Sequence, residues 1–434
     1  MKMELKTYEE ARDWLYSLKN RGSFYGLERM EHFAKKLGSP QKAYPIIHVA
    51  GTNGKGSTAA MLEAIFRAHG FKTGLSTSPH LVRQGERIQV NRSILDESQI
   101  LEYTREMVEE TTVIAEINPE MHPSFFEFMT AMAFRHFQRE NVDIAIVEVG
   151  LGGRLDASNV VIPEVAVITS IGLDHCEILG DTFEAIAREK AGIIKGGLPT
   201  VIGQLPSEAE SVIRSICKKR NSSLISVAEE FGNDVSTYPQ TNLVGGYQRL
   251  NAATALAVAR VLESRFNLDE EISVSTLKNV YWPGRWEEQD LEHRKIIFDV
   301  THNSDGVQWL EENLSRMTEK GIPKPDVVFG VMGDDRANIL VPVIARFAKS
   351  ITFVVPQQTR SSTFESLESF VPPSFSGTVV RGSVSELFPS RGECSLDVPS
   401  TGPILVTGSI YLIGEIWERF VEDGPVGQGI LQDF

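Results

Sequence analysis

Cysteine is scarce in this chain. Its 434 residues include three, Cys176, Cys217 and Cys394, far apart and in no CxxC pair. That excludes a disulfide framework and fits a reducing, cytoplasmic setting. Positive charge is in deficit, with 43 Lys and Arg against 58 Asp and Glu and a formal net charge of -15. A dedicated nucleic-acid binder, which draws affinity from counterion release by a basic surface, is disfavoured. Anionic small ligands are not, because a loop and a helix terminus bind phosphate locally even on an acidic protein. Long apolar runs are missing: none approaches the roughly 20 residues that cross a bilayer. The opening MKMELKTYEEARDWL is too charged for a signal peptide and reads as an amphipathic helix. Internal repeats, low-complexity tracts and coiled-coil heptads are also missing.

What the chain does have is an ordinary apolar content and a length that suggests two or three domains. Strand-length apolar runs alternate with segments of helical period. Strands are expected at 46–50, 73–77, 143–149, 165–169 and 200–203, with helices at 58–69, 98–115, 125–140, 182–194 and 208–220. This βαβα order predicts an α/β fold, a parallel sheet covered by helices on both faces. A polar stretch, 221–241, interrupts it, and helices near 251–264 and 273–280 follow. Trp282-Pro283-Gly284-Arg285 and the charged run to Arg294 read as a linker, giving a domain over 1–290 and a smaller one over 291–434. In the second, strands at 295–300, 326–331, 351–355 and 404–407 alternate with helices at 306–318, 337–348 and 409–420, a Rossmann-like pattern.

The strongest local signal is Gly51-Thr52-Asn53-Gly54-Lys55-Gly56-Ser57, between the strand IIHVA and the helix TAAMLEAIFRAHG. Glycines let the backbone curl so that successive N–H groups point into one concavity. The helix N-terminus adds partial positive charge. In such a phosphate loop Lys55 reaches the β- and γ-phosphates and the Ser57 hydroxyl ligates Mg²⁺. The match to the general pattern is imperfect, since its first glycine falls at Val49 and Gly56 separates the lysine from the serine. A plain glycine-rich turn is the competing reading.

GTNGKGS after an HVA strand resembles the Mur ligase form of this loop. Further stretches resemble the folylpolyglutamate synthase/dihydrofolate synthase family within that superfamily. They are Gly26-Leu27-Glu28-Arg29-Met30, Ser78-Pro79-His80-Leu81, Glu86-Arg87-Ile88, the run from Glu148 to Ala157 (EVGLGGRLDA), and Val406-Thr407-Gly408-Ser409. The resemblance spans most of the chain. It implies Mur ligase architecture, a P-loop ATPase domain with folate-binding loops followed by a smaller α/β domain. It also implies an ATP-dependent amide-forming ligase, acting as a monomer on dihydropteroate or reduced folate and L-glutamate, with no nucleic-acid or membrane partner.

Residue by residue, the resemblance assigns Thr52, Asn53, Gly54, Lys55, Gly56 and Ser57 to the triphosphate. Mg²⁺ falls to Ser57, Glu148 and His175, with K⁺ a further candidate cation. A carboxylate at the end of a strand beside a phosphate loop suits a nucleotide's metal, although Glu148 also reads as a glycine-turn residue. His175 by itself reads as structural, because imidazole is a poor Mg²⁺ ligand. Lys190, in Glu189-Lys190-Ala191-Gly192, reads from its chemistry as a solvated helix lysine, whereas the resemblance implies a carbamylated one. Asn251 follows Gln248 in a segment resembling the family's His-Gln-x-x-Asn, with Tyr247 in place of the histidine, and is a candidate adenine contact or a helix-terminal polar residue. Arg285 is a candidate phosphate ligand from across the cleft or a linker ion pair. Asp299, His302 and Asn303 stand in Asp-Val-Thr-His-Asn-Ser, where the family has Asp-Gly-Ala-His-Asn-Pro, so Asp299 and His302 keep an implied nucleotide or catalytic role. For the acceptor, the resemblance points to Arg29, Ser78, His80, Phe125 and Asp156, with one of Phe125 and Phe126 facing the pocket and the other the core. Arg83 and Arg87 are candidate carboxylate partners or solvated loop residues.

The chemistry implied is attack of an acceptor carboxylate on the γ-phosphorus, then displacement of phosphate by the amine of L-glutamate. The competing readings are a Mur-type ligase for another acceptor, a non-ligase P-loop NTPase, and a catalytically silent binding protein.

Overall fold

The computed structural model describes residues 5–21 and 26–420. Tyr25 of the YGLERM run, residues 1–4 of the first expected helix and residues 421–434 of the expected second domain lie outside the described residues. The chain forms two compact units. One takes in the described residues up to Asn242 and Gln248–Val280, the other Leu243–Tyr247 and the described residues from Tyr281.

The first unit is built on eight strands: β1 (Ile46–Ala50), β2 (Thr73–Ser76), β3 (Ile88–Val90), β4 (Ser93–Ile94), β5 (Ile144–Glu148), β6 (Val165–Ile168), β7 (Thr200–Ile202) and β8 (Leu224–Ser226). Their order is β4-β3-β2-β5-β1-β6-β7-β8. From β2 to β8 every neighbour pair is parallel, and β3 and β4 add an antiparallel edge. Central β1 and β5 are buried at every position, as the continuous apolar runs IIHVA and IAIVE require of strands covered on both faces. Helix Phe125–Arg139 starts at Ser124, whose hydroxyl and Glu127 form a reciprocal capping box. It buries Phe128, Phe134 and Phe137 in a cluster with Tyr44, Met132 and Val147. Each such phenylalanine contributes roughly 1.5–3 kcal/mol of burial. Helices Phe183–Lys190 and Ser207–Arg220 enclose a second cluster around Ile168, Ile186 and Ile213.

Register places the functional ends together. Val49 of β1 pairs with Glu148 of β5, and Ala50 pairs with Ile168 of β6. Gly51, Glu148 and Thr169 therefore emerge side by side at the carboxyl edge of the sheet, where open α/β sheets bind ligands.

The second unit has β9 (Arg285–Asp290), β10 (Lys295–Asp299), β11 (Asp326–Phe329), β12 (Ser350–Val354), β13 (Thr378–Gly382) and β14 (Ile404–Thr407), ordered β13-β12-β11-β14-β10-β9. All neighbour pairs are parallel except antiparallel β9 on β10. Its core gathers Leu310, Leu340, Phe329 and Phe353. Arg294 is buried there against Asp326 at 2.6 Å and also donates to the carbonyls of Leu396, Gly402 and Pro403.

Several elements differ from the sequence expectation. The units divide at Val280/Tyr281, not at 290/291, because the charged run read as a linker is the edge strand β9. β8 lies inside the polar stretch 221–241, and the exposed edge strand β13 carries no continuous apolar run. Edge strands need none. Among the described residues no helix is long and apolar enough to cross a membrane.

Candidate active site

Helix Lys55–Ala68 begins three residues ahead of the expected 58, with Gly54 as N-cap at φ 81° and no side-chain cap. The first N–H groups of a helix lack intrahelical acceptors, so this end presents donors to a ligand. No acidic residue occupies its first turn. A Cβ on Gly54 would stand 2.2 Å from Asn251 Oδ1, and one on Gly51 1.9 Å from Thr169 Oγ1. Both glycines are thus fixed by close neighbours. The loop is tied to the segment after β6: Thr52 N donates to Ser170 O (2.9 Å), Asn53 N to Ser170 Oγ (2.8 Å), and Gly172 N to Thr52 Oγ1 (2.9 Å).

Lys55 folds over this turn, its Nζ donating to the carbonyls of Gly51 and Thr52, each at 3.1 Å. Ser57 is buried and accepts from Gln248 Nε2 at 3.3 Å, and Gln248 Oε1 in turn accepts from Asn251 Nδ2 at 3.0 Å. Asn251 therefore sits against the phosphate loop itself. Glu148 is buried and its Oε2 accepts from Ser78 N at 3.1 Å. Among the described residues no group of three or more His, Cys, Asp or Glu could hold a metal. A serine hydroxyl and one carboxylate beside a phosphate loop nevertheless fit Mg²⁺, which is usually shared between a few protein oxygens and substrate phosphates.

Lys190 corrects the solvated-lysine reading. It is 4 % exposed, and its Nζ donates to Gly51 O at 2.8 Å, on the same carbonyl as Lys55. Burial, chiefly, and the Lys55 charge depress its pKa to about 7, against the opposing pull of Asp174 and Asp156. His175 sits at φ 52° ahead of the short helix Cys176–Leu179, its backbone N–H donating to Asp174 Oδ1 at 3.0 Å.

A cavity of about 420 Å³ opens beside the 151–157 loop. Phe126, Leu151, Asp156, Ile178 and Leu179 line it, with Glu127 and Ser124 at the start of helix Phe125–Arg139. Asp156 is buried, and desolvation raises its pKa although Leu151 N (2.9 Å), Ser158 N (2.9 Å) and Ser158 Oγ all donate to it.

Three acceptor candidates lie elsewhere. Phe125 is a core residue, 3 % exposed, whose ring meets Lys19 Nζ at 4.7 Å and the Arg87 guanidinium at 5.4 Å, so Phe126 is the phenylalanine on the cavity. Arg29 is buried in an ion pair with Glu127 at 2.9 Å. His80 is buried and accepts at Nδ1 from Arg87 Nε at 2.7 Å; burial first, then the Arg87 and Lys19 charges, holds it neutral. Arg87 is thereby committed to His80, while Arg83 is exposed.

In the second unit, Asp299 is fully enclosed at the end of β10. It accepts from Thr301 N (3.0 Å) and Trp286 N (3.2 Å), and burial raises its pKa. His302 Nδ1 lies 2.8 Å from Val300 O, so Nδ1 carries a proton and donates to that carbonyl. Asn303 caps helix Ser304–Glu319 by accepting from Gly306 N at 2.9 Å. Arg285 Nη1 donates to Gly284 O at 3.3 Å.

Sequence reasoning missed Thr169 and Ser170, which hold the loop from β6. The signal available was the Thr-Ser pair at the end of a buried strand, where small hydroxyl residues meet a ligand-binding edge.

The Mur ligase middle domain model matches residues 49–242. Over 434 aligned residues the chain is 33% identical to the dihydrofolate synthase/folylpolyglutamate synthase of Bacillus subtilis, covering 95% of this chain and 99% of the relative. Among solved structures it is similar to Mycobacterium tuberculosis folylpolyglutamate synthase complexed with ADP (TM-score 0.82, 28% identity, 96% of this chain and 99% of that one). It is likewise similar to E. coli FolC in complex with DHPP and ADP (TM-score 0.78, 30% identity, 94% and 97%).

Proposed function

Because the chain belongs to the dihydrofolate synthase/folylpolyglutamate synthase family of Mur ligases, we propose that it joins L-glutamate by an amide bond to dihydropteroate, to the γ-carboxylate of a reduced folate, or to both, with cleavage of ATP to ADP and phosphate. The observation that carries this reading is the uncapped helix Lys55–Ala68 rising from a glycine loop, with Glu148 emerging on the adjacent strand.

The triphosphate lies on the backbone N–H groups of the 51–57 loop. Lys55 releases the Gly51 and Thr52 carbonyls and turns its charge to the phosphates. Ser57 and Glu148 would hold Mg²⁺, which would neutralise phosphate charge. Asn251 and Gln248 keep the loop in shape beneath the nucleotide. The acceptor's ring system occupies the 420 Å³ cavity, whose size and mixed apolar and polar lining suit a flat heterocycle, with Phe126 against the ring and Asp156 at its polar edge. The acceptor carboxylate attacks the γ-phosphorus, the bond to ADP breaks, and an acyl phosphate forms. The amine of glutamate then attacks the acyl carbon, phosphate leaves with both electrons of its C–O bond, and the amine gives up one proton to the departing phosphate or to water. Fixed donors aimed at the transferring group supply most of the stabilisation.

With a pKa depressed to about 7, Lys190 is substantially neutral at physiological pH and nucleophilic. Its Nζ attacks CO₂, an N–C bond forms, one C–O π pair moves onto oxygen, and a proton leaves to water. The resulting carbamate is an anion placed beside the phosphate loop, suited to a second cation.

The test is ADP release with L-glutamate and either dihydropteroate or tetrahydrofolate. Turnover that requires both glutamate and one of these acceptors is expected. Turnover independent of glutamate, or seen only with another acid acceptor, overturns the proposal.

A further inference from the structure

The floor of the acceptor cavity is connected to the strand that carries the phosphate loop. Asp156 lines the cavity, and its Oδ1 accepts from both the backbone and the hydroxyl of Ser158. Ser158 Oγ also lies 2.8 Å from Nε2 of His48, and both residues are buried. His48 is the middle residue of β1, paired on one side with Val147 and on the other with Ala166. Its backbone is fixed between two strands and its side chain is wholly buried.

The protons in this chain follow from chemistry. A carboxylate only accepts, so the Ser158 hydroxyl donates to Asp156. A Ser158 lone pair then accepts from His48, which places the imidazole proton on Nε2 and leaves Nδ1 bare. Consistently, Nδ1 is a buried atom with no hydrogen-bond partner among the described residues. A bare acceptor is tolerable there. A protonated Nδ1 would be an orphaned buried donor on a charged ring, and burial, with Lys195 nearby, accordingly lowers the pKa of His48 to about 3. The far side of the same loop is also pinned, since Lys195 Nζ donates to Asn159 O at 3.0 Å and to Asn159 Oδ1 at 2.9 Å.

We infer that His48 is a positioning residue for the acceptor: through Ser158 it fixes the direction of the Asp156 carboxylate, and so sets the cavity's grip on the polar edge of a pterin-like ring. This rests on the acceptor reading above. His48 is not among the residues lining the cavity, and the phosphate loop begins only after Ala50 on the same strand.

The experiment uses the full chain. Binding of pteroic acid and of ATP, with and without Mg²⁺, is measured for wild type, His48→Leu, Ser158→Ala, the double variant and His48→Gln, beside the KM for acceptor and for ATP. Loss of one buried hydrogen bond from this chain loosens the Asp156 carboxylate and weakens acceptor binding on the order of tenfold. The expected result is that fold loss in His48→Leu and in Ser158→Ala, ATP affinity within about twofold of wild type, partial recovery in His48→Gln, and a double variant no weaker than either single one. Equal loss of ATP and acceptor affinity, additive single effects, or unchanged pteroic acid binding in both single variants overturns the inference. Should wild type itself fail to bind pteroic acid, the acceptor reading falls and takes this inference with it. Ser158→Ala leaves β1 intact, so it decides the matter if His48→Leu does not fold.

Discussion

Replacing Gly54 with alanine tests whether the phosphate loop is held in shape by close packing. At φ 81° an alanine occupies the left-handed region, at a cost of about 1–2 kcal/mol. Its Cβ would stand 2.2 Å from Asn251 Oδ1, so Asn251 must move. That movement breaks the 3.0 Å bond from Asn251 to Gln248, worth about 1 kcal/mol, and loosens Gln248 from Ser57. The sum, roughly 2–3 kcal/mol, is below the stability of a typical domain, so Gly54→Ala should fold with a Tm lowered by several degrees. If the same loop holds the triphosphate, ATP affinity falls by about one to two orders of magnitude in titration calorimetry. Adding Asn251→Ala removes the clash but not the backbone strain, so the double variant should bind ATP better than Gly54→Ala alone. Wild-type ATP affinity in Gly54→Ala, or a double variant worse than the sum of its parts, refutes the reasoning.

Phe126→Ala should raise the KM for acceptor with little change in Tm, whereas Phe125→Ala should cost about 3–5 kcal/mol of stability by leaving a core cavity. Chemical denaturation and acceptor titration separate the two. Incubation with bicarbonate should add the mass of one CO₂ to wild type but not to Lys190→Ala under non-denaturing mass spectrometry, increasingly as pH rises through about 7, where Lys190 loses its proton. An increment that survives the mutation removes the carbamate. His48, held at about 3, is protonated more readily in the unfolded chain, whose ordinary histidine value is near 6.5. Unfolding therefore takes up a proton between these values, and stability declines as pH falls below about 6.5, by up to about 1.4 kcal/mol per pH unit from this residue. The pH slope of urea denaturation should flatten in His48→Leu. Arg294→Met strands the Asp326 carboxylate and should destabilise the second unit by about 3–5 kcal/mol. A near-neutral effect in urea denaturation contradicts that assignment.

The parallel core of both units was legible because buried strands such as IIHVA and IAIVE are continuous apolar runs between helical periods. The edges were not. β8, β9 and β13 are short or charged, and their identity comes from a neighbour's unpaired backbone, which no local pattern encodes. The phosphate loop was visible as glycine, lysine and serine between a strand and a helix. The burial of Lys190 was not, since its helix reads as amphipathic and only the fold brings its tip to the Gly51 carbonyl. Phe125 and Phe126 are indistinguishable in sequence, and the rotation of one helix decides which meets the core. Arg29 looked available for a ligand until Glu127, far along the chain, proved to be its partner.

The central claim is that a triphosphate held by the 51–57 loop phosphorylates a carboxylic acid that glutamate then captures. It is tested most directly by following isotopically heavy oxygen from a labelled acceptor carboxylate in the presence of ATP, Mg²⁺ and L-glutamate. One labelled oxygen per amide formed should appear in inorganic phosphate, and Lys55→Ala should lose this transfer in parallel with ADP release. Amide formation with no label in phosphate, or undiminished transfer in Lys55→Ala, would contradict the account.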